Sequence, residues 1–142
     1  LIRAAQYGTI LEILRLLDVE KVDVNSIGGL FGSALGEASF WGKKEVVSLL
    51  LDRGADVNSA GGDYGSALGA AAYGEGKEIV SLLLDRGADV NITGGNYGSV
   101  LGVAAYEGYK EIVILLLDRG ADVNSTGGEY GSALGTAAYW GH

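Results

Sequence analysis

The chain has no cysteine, no proline and no methionine, and its one histidine, His142, is the last residue. Without cysteine there are no disulfides and no thiolate chemistry, and the redox compartment is left open. A lone terminal histidine makes Ser-His nucleophiles and His-metal centres unavailable. Lys and Arg number 10 against 18 Asp and Glu, giving a net charge of −8 with the two signs interleaved. No basic stripe of the kind that neutralises phosphates is present, so nucleic acid is excluded as a partner. The longest apolar stretches, such as Ile112–Leu117, fall far short of the ~20 residues that span a bilayer. No signal-peptide pattern opens the chain, and an intracellular, cytoplasmic location is expected. The start at Leu1 rather than Met is what a trimmed or excised segment would show.

What is present is repetition. Asn25, Asn58, Asn91 and Asn124 are spaced 33 residues apart, and Asp-Arg-Gly-Ala-Asp-Val-Asn recurs at 52–58, 85–91 and 118–124. Gly-Gly-x-aromatic-Gly-Ser begins at Gly28, Gly61, Gly94 and Gly127. A fixed period of this length is the signature of stacked repeats and overrides single-motif readings. The composition, 48% hydrophobic, is rich enough for a core and argues against disorder.

Residues 58–90 show the unit. Asn58 to Tyr64 carries Gly61-Gly62 and no apolar periodicity, which reads as a turn or hairpin finger. Ser66 stands at an N-cap position before the short helix Ala67–Tyr73. Gly74-Glu75-Gly76 breaks the chain, and Lys77–Asp85 has the broad apolar face of a second helix. Gly87 follows where a left-handed C-cap residue is wanted. Both helices are shorter than the ~12–15 residues that are marginally stable alone in water, so each needs its neighbours.

At this period, and with Gly-Ala-Asp-Val-Asn closing each unit, the whole chain closely resembles the ankyrin repeat family. The expected fold is an all-α ankyrin solenoid of helix-turn-helix units with hairpin-like finger loops, in one domain. The N-terminal repeat is expected over 1–24 and full repeats over 25–57, 58–90 and 91–123. A truncated repeat over 124–142 stops as its second helix should begin, so the parent protein is expected to continue. The N-terminal loop holds one extra residue, since Leu17 to Leu51 is 34 but Asp23 to Asp56 is 33. Where ankyrins usually carry Thr-Pro-Leu-His, this chain has Ser33-Ala-Leu-Gly36, Ser66-Ala-Leu-Gly69, Ser99-Val-Leu-Gly102 and Ser132-Ala-Leu-Gly135. Ser can still cap and Ala can replace Pro at the first helical position. Losing His removes a side chain that normally ties finger to helix, and each Gly costs about 1 kcal/mol relative to Ala. A close approach of backbone or of ligand would account for these glycines. The Gly-Gly-x-Tyr-Gly-x-Ala-Leu variant resembles the ankyrin arrays of fungal multidomain receptors.

Other motifs lose to the repeat. Gly61-Gly62-x-x-Gly65 lacks the Gly-Lys-Ser/Thr of a phosphate loop, and recurs four times. Asp89-x-Asn91-x-x-Gly94 lacks EF-hand spacing and a closing Glu, so these side chains stabilise a loop. The sequons Asn91-Ile-Thr93 and Asn124-Ser-Thr126 fall on the repeated Asn and read as chance. Recurring carboxylates serve the repeat, so no catalytic residue, metal ligand or cofactor is expected.

Between 58–90 and 91–123, 24 of 33 positions are identical, and the differences cluster in the finger and at the end of the first helix. Finger positions vary as Ile27/Ala60/Thr93/Thr126 and Leu30/Asp63/Asn96/Glu129. The first helix and turn vary as Glu37/Ala70/Val103/Thr136, Trp41/Gly74/Glu107/Trp140 and Lys43/Gly76/Tyr109/His142. Such volume swings argue against core packing at these positions. The ankyrin resemblance implies that fingertips and the exposed side of the first helix form a concave surface that grips partners. An aromatic pair recurs beside them: Phe31 with Phe40, Tyr64 with Tyr73, Tyr97 with Tyr106, Tyr130 with Tyr139. Two readings stay open, rings that pack finger on helix and between repeats, and a ladder offered to a partner. The expected function is non-enzymatic binding of a protein partner through Leu30, Trp41, Asp63, Tyr64, Tyr73, Asn96, Tyr97, Tyr106, Glu107, Glu129, Tyr130, Tyr139 and Trp140. Trp41 and Trp140 are the sharpest candidates, with end-capping as the competing role of Trp140. The alternative is a scaffold that self-associates through its repeat ends.

Overall fold

The computed structural model describes residues 1–125; Thr126, Glu129, Tyr130, Tyr139, Trp140 and His142 lie outside the described residues. Eight helices form four pairs among them: α1 Ile2–Tyr7 with α2 Ile10–Leu14, α3 Ala34–Phe40 with α4 Lys44–Asp52, α5 Ala67–Tyr73 with α6 Lys77–Asp85, and α7 Val100–Glu107 with α8 Lys110–Asp118. The first helices α1, α3, α5 and α7 stack side by side, and each packs on the second helix of its own pair.

The residue types dictate this layering. Ser33, Ser66 and Ser99 each accept a hydrogen bond from the backbone N–H three residues on, at 3.1, 3.0 and 2.9 Å, satisfying one open donor per helix start. Ala38, Ala71 and Ala104 are fully buried and let first helices approach one another. Val47, Leu50, Val80, Leu83, Ile112 and Leu116 fill the layer behind them. Ser39 occupies a core position that is Ala72 and Ala105 elsewhere, and its buried hydroxyl has no hydrogen-bond partner. The extra N-terminal residue lies in the helix end rather than in the loop. A π-helical turn over Arg15–Val19 absorbs it, with Glu20 N–H donating to Arg15 O. Lys21, at φ 56°, then stands in the left-handed place of Gly54.

Two ladders tie the repeats together. Asn58 Nδ2 donates to Gly87 O at 3.2 Å, and its Oδ1 accepts from Asp89 N–H at 2.7 Å. Asn25 and Asn91 do the same to the loops at Gly54/Asp56 and Gly120/Asp122. Asp56, Asp89 and Asp122 each accept from the N–H two residues on. In the calcium-like run Asp89 Oδ1 and Asn91 Oδ1 therefore both accept from backbone N–H groups, and the nitrogen that a glycan would need at Asn91 is a donor to the next repeat. The second ladder is ionic: Arg53–Asp18, Arg86–Asp52 and Arg119–Asp85 at 3.2, 2.7 and 2.9 Å.

The fingers are hairpins of differing regularity. The third has short paired strands, β1 Thr93–Gly94 and β2 Gly98–Ser99; the first has a single bridge, Ile27 to Ser33. Neighbouring fingers join through their tips, where Asp63 N–H donates to Leu30 O and Asn96 N–H donates to Asp63 O. That junction requires glycine. A Cβ on Gly32 would lie 2.5 Å from the Gly61 carbonyl carbon, and one on Gly65 2.6 Å from that of Gly94.

Candidate functional site

The finger is seated on the first helix by backbone contact. A Cβ on Gly36, Gly69 or Gly102 would lie 2.0, 2.0 and 2.6 Å from the carbonyl oxygens of Phe31, Tyr64 and Tyr97. The glycine that replaces the family's polar residue thus lets the finger carbonyl rest on the helix. Of the two accounts open in the sequence, close approach of backbone is the one realised.

The rings continue this contact into a ladder. Phe31 stacks on Phe40 with centroids 4.1 Å apart, and Tyr64 on Tyr73 at 4.3 Å. Tyr97 meets Tyr106 at 4.8 Å, tilted by 59°. Between repeats Phe31 faces Tyr64 at 5.6 Å, Tyr64 faces Tyr97 at 5.9 Å, and Phe40 faces Tyr73 at 5.9 Å. Stacking of this kind contributes about 0.5–1.5 kcal/mol per pair beyond area burial. Packing of finger on helix and of repeat on repeat is therefore a role these rings perform. Tyr64, Tyr73, Tyr97 and Tyr106 are half-buried, with part of each surface open to solvent. Burial, then a hydrogen bond with Tyr73, pushes the Tyr64 hydroxyl well above its ordinary pKa and keeps it protonated.

Around the ladder the structure separates the non-repeating residues. Leu30, Asp63 and Asn96 are at the fingertips with exposed side chains, while their backbones form the bonds between fingers. That division explains how one position can be Leu, Asp or Asn: the frame uses only its main chain. Trp41 caps α3, is 48% exposed and packs edge-on against Phe40 at 4.9 Å. Glu107, at the end of α7, is half-buried. Burial, then the nearby negative charge of Glu107, raises the Tyr109 hydroxyl pKa.

One expectation from variability is corrected. Glu37, Ala70 and Val103 vary among repeats yet all are buried, so variability at this position does not mark a surface. The Trp41/Gly74/Glu107 set does lie outside the core, with Trp41 and Gly74 exposed and Glu107 half-buried, but Gly74 is held to glycine by a neighbour. A Cβ there would lie 2.4 Å from Phe40 O, so glycine is what allows α3 and α5 to approach at that point. The left-handed turn residue is the next one in every repeat, Gly42, Glu75 and Gly108, and only the second copy, at φ 59°, is not glycine.

The structure also gathers side chains that the repeat comparison did not single out. Gln6, at the ring position of the N-terminal repeat, ends the aromatic ladder on a polar group. With its amide nitrogen toward Glu37, the orientation that satisfies both amide atoms, Gln6 donates to Glu37 Oε1 at 3.0 Å. Its oxygen accepts from the Tyr7 hydroxyl at 2.8 Å and from Trp41 Nε1 at 3.2 Å. Trp41 Nε1 also reaches Glu37 Oε1 at 3.4 Å. The signal in the sequence was a carboxylate aligned with Ala70 and Val103, and only the burial of that position makes it meaningful.

Paired short helices stacked at a fixed period, with side-chain ladders between the units, define a helical repeat solenoid. The family model for ankyrin repeats (3 copies) matches residues 1–94 and 62–127, and the chain belongs to the ankyrin repeat family. No curated protein matches it. Ankyrin repeats are generally protein–protein interaction modules and are typically non-enzymatic. No helix among the described residues is long and apolar enough to cross a membrane.

Proposed function

We propose that this array is a non-enzymatic recognition module that binds a protein partner through its fingertips, its aromatic ladder and the ends of its first helices. It would serve inside a larger intracellular signalling or recognition protein, of the kind represented by the ankyrin arrays of fungal multidomain receptors. The observation that carries this reading is the division of labour at the fingertips. Leu30, Asp63 and Asn96 give their main chains to the frame and leave exposed side chains free to differ. Trp41 adds a large half-open indole at the end of α3, a residue type that dominates binding energies in interfaces. Glu129, Tyr130, Tyr139 and Trp140 extend the proposed surface beyond the described residues.

The test is Trp41→Ala, read by partner capture and by thermal melting together. Loss of about 2 kcal/mol or more of binding with the melting temperature little changed is the expected result. A lowered melting temperature with unchanged affinity would instead make Trp41 a packing residue. Self-association through the repeat ends is the second reading. It is favoured by exposed apolar side chains at both sides of the stack, Leu11 and Val19 at one and Ile114 at the other. Light scattering across concentration decides it, since a monomer at high concentration removes the scaffold model.

A further inference from the structure

Glu37 is the one acidic side chain in the buried core of the described residues, at 8% exposed. Its aligned partners Ala70 and Val103 show that the fold has no need of a carboxylate there. A buried carboxylate is costly unless hydrogen-bonded and charge-paired. The first condition is half met: Trp41 Nε1 and Gln6 approach Oε1. Oε2 carries no hydrogen bond and faces the finger at Gly29, where a Cβ would lie 4.0 Å from it. The second condition is not met, because none of the ion pairs among the described residues includes Glu37. Arg3, at the same helical position one repeat earlier, lies exposed and does not pair with it.

The rim of this site has a matching chemistry. The Trp41 indole is half open and held by the same network, Leu30 is 55% exposed on the fingertip next to Gly29, and Tyr7 is 74% exposed on the other side. A planar cation can lie on an indole face while giving N–H bonds to a carboxylate, and guanidinium suits both better than ammonium. The chain's net charge of −8 and the exposed Asp63 on the next fingertip favour a basic segment over an acidic one.

We propose that Glu37 and Trp41, oriented by Gln6, form a receptor for an arginine side chain of a basic partner segment. This rests on the protein-binding reading above and names the chemistry at its N-terminal end. The guanidinium bonds to Glu37 Oε2 and stacks on Trp41, with its alkyl stem against Leu30. Gln6 is a positioning residue, fixing carboxylate and indole together.

The test uses the whole chain and an unstructured peptide of Arg alternating with Gly and Ser, with a second peptide carrying Gln for each Arg, by titration calorimetry. The wild-type chain is expected to prefer the Arg peptide by at least about 10-fold, as for a desolvated charge pair. Glu37→Gln and Glu37→Ala should abolish most of that preference. Both variants should fold, since Gln is isosteric and Ala occupies the aligned position. Glu45→Gln removes an exposed carboxylate on α4 as a control for net charge and should change little. Equal weakening by Glu45→Gln, or full preference retained in Glu37→Gln, would overturn the proposal. The broader reading fails separately: a chain that prefers the Arg peptide yet captures no partner in the Trp41 experiment contradicts that reading alone.

Discussion

The sign of a glycine substitution separates local propensity from tertiary contact in this protein. Helix propensity alone makes Gly69→Ala stabilising by about 1 kcal/mol. The Tyr64 carbonyl oxygen stands 2.0 Å from where the methyl would be, so the finger would have to lift off the helix. Overpacking of this kind costs about 1–3 kcal/mol, more when backbone must move, and Gly69→Ala should therefore lower the urea midpoint. A rise in that midpoint would show that the finger is loosely seated. Tyr64 supplies a second residue-scale expectation. Its folded pKa is raised above the ordinary 10.0, so the folded state holds the proton more tightly than the unfolded state. Its contribution is then whole below pH 10 and declines as pH rises beyond it. Tyr64→Phe, which places Phe where the first finger has Phe31, should flatten the loss of stability above pH 10. Coincident alkaline denaturation curves would refute it.

Elements in this chain are set by their ends. Each helix is too short to stand alone, and Ser caps start α3, α5 and α7 while glycines follow α4, α6 and α8. Gly87, at φ 94°, sits in open space just past α6, where any side chain would fit but the backbone angle favours glycine. The turn between α5 and α6 is the exception. Its left-handed position, glycine at Gly42 and Gly108 in the other turns, is Glu75, and that conformation costs a non-glycine residue about 1 kcal/mol. Glu75→Gly should stabilise the array by about 0.5–1 kcal/mol, measured by chemical denaturation. No gain would mean that contacts of Glu75 offset its backbone strain.

Across the whole molecule, stability is carried between repeats, as expected of a one-dimensional array. The Asn and Arg ladders differ in kind. Asn58 holds both a donor and an acceptor of the next loop, and Asn58→Ala should cost about 1–2 kcal/mol. The Arg86–Asp52 pair is partly exposed, and Arg86→Ala should cost no more than about 1 kcal/mol, less in high salt. Denaturation of the two variants side by side checks the order. An Arg86→Ala chain less stable than Asn58→Ala would make the ionic ladder the principal tie. The aromatic ladder joins neighbouring repeats as well, through Phe31–Tyr64, Phe40–Tyr73 and Tyr64–Tyr97.

The 33-residue period by itself determined the class of fold, the helix pairs, their caps and the glycine stops, because each of these depends on neighbours a few residues away. Helices α5 and α6 occupy the segments that local patterning marks out. It also separated the positions that vary between repeats from the constant glycines and leucines. Tertiary structure decided what variability means at each place. Glu37, Ala70 and Val103 differ and are buried, while Leu30, Asp63 and Asn96 differ and are exposed, and nothing in the residue types distinguishes the two sets. The same holds for the glycines of the first helix, whose reason is a carbonyl five residues earlier in the chain, and for the fingers, whose reason is the next finger 33 residues away. Distance along the chain gives no measure of distance in the stack. The meeting of Gln6, Glu37 and Trp41 is therefore a property of the folded array, though every one of its atoms is written in the sequence.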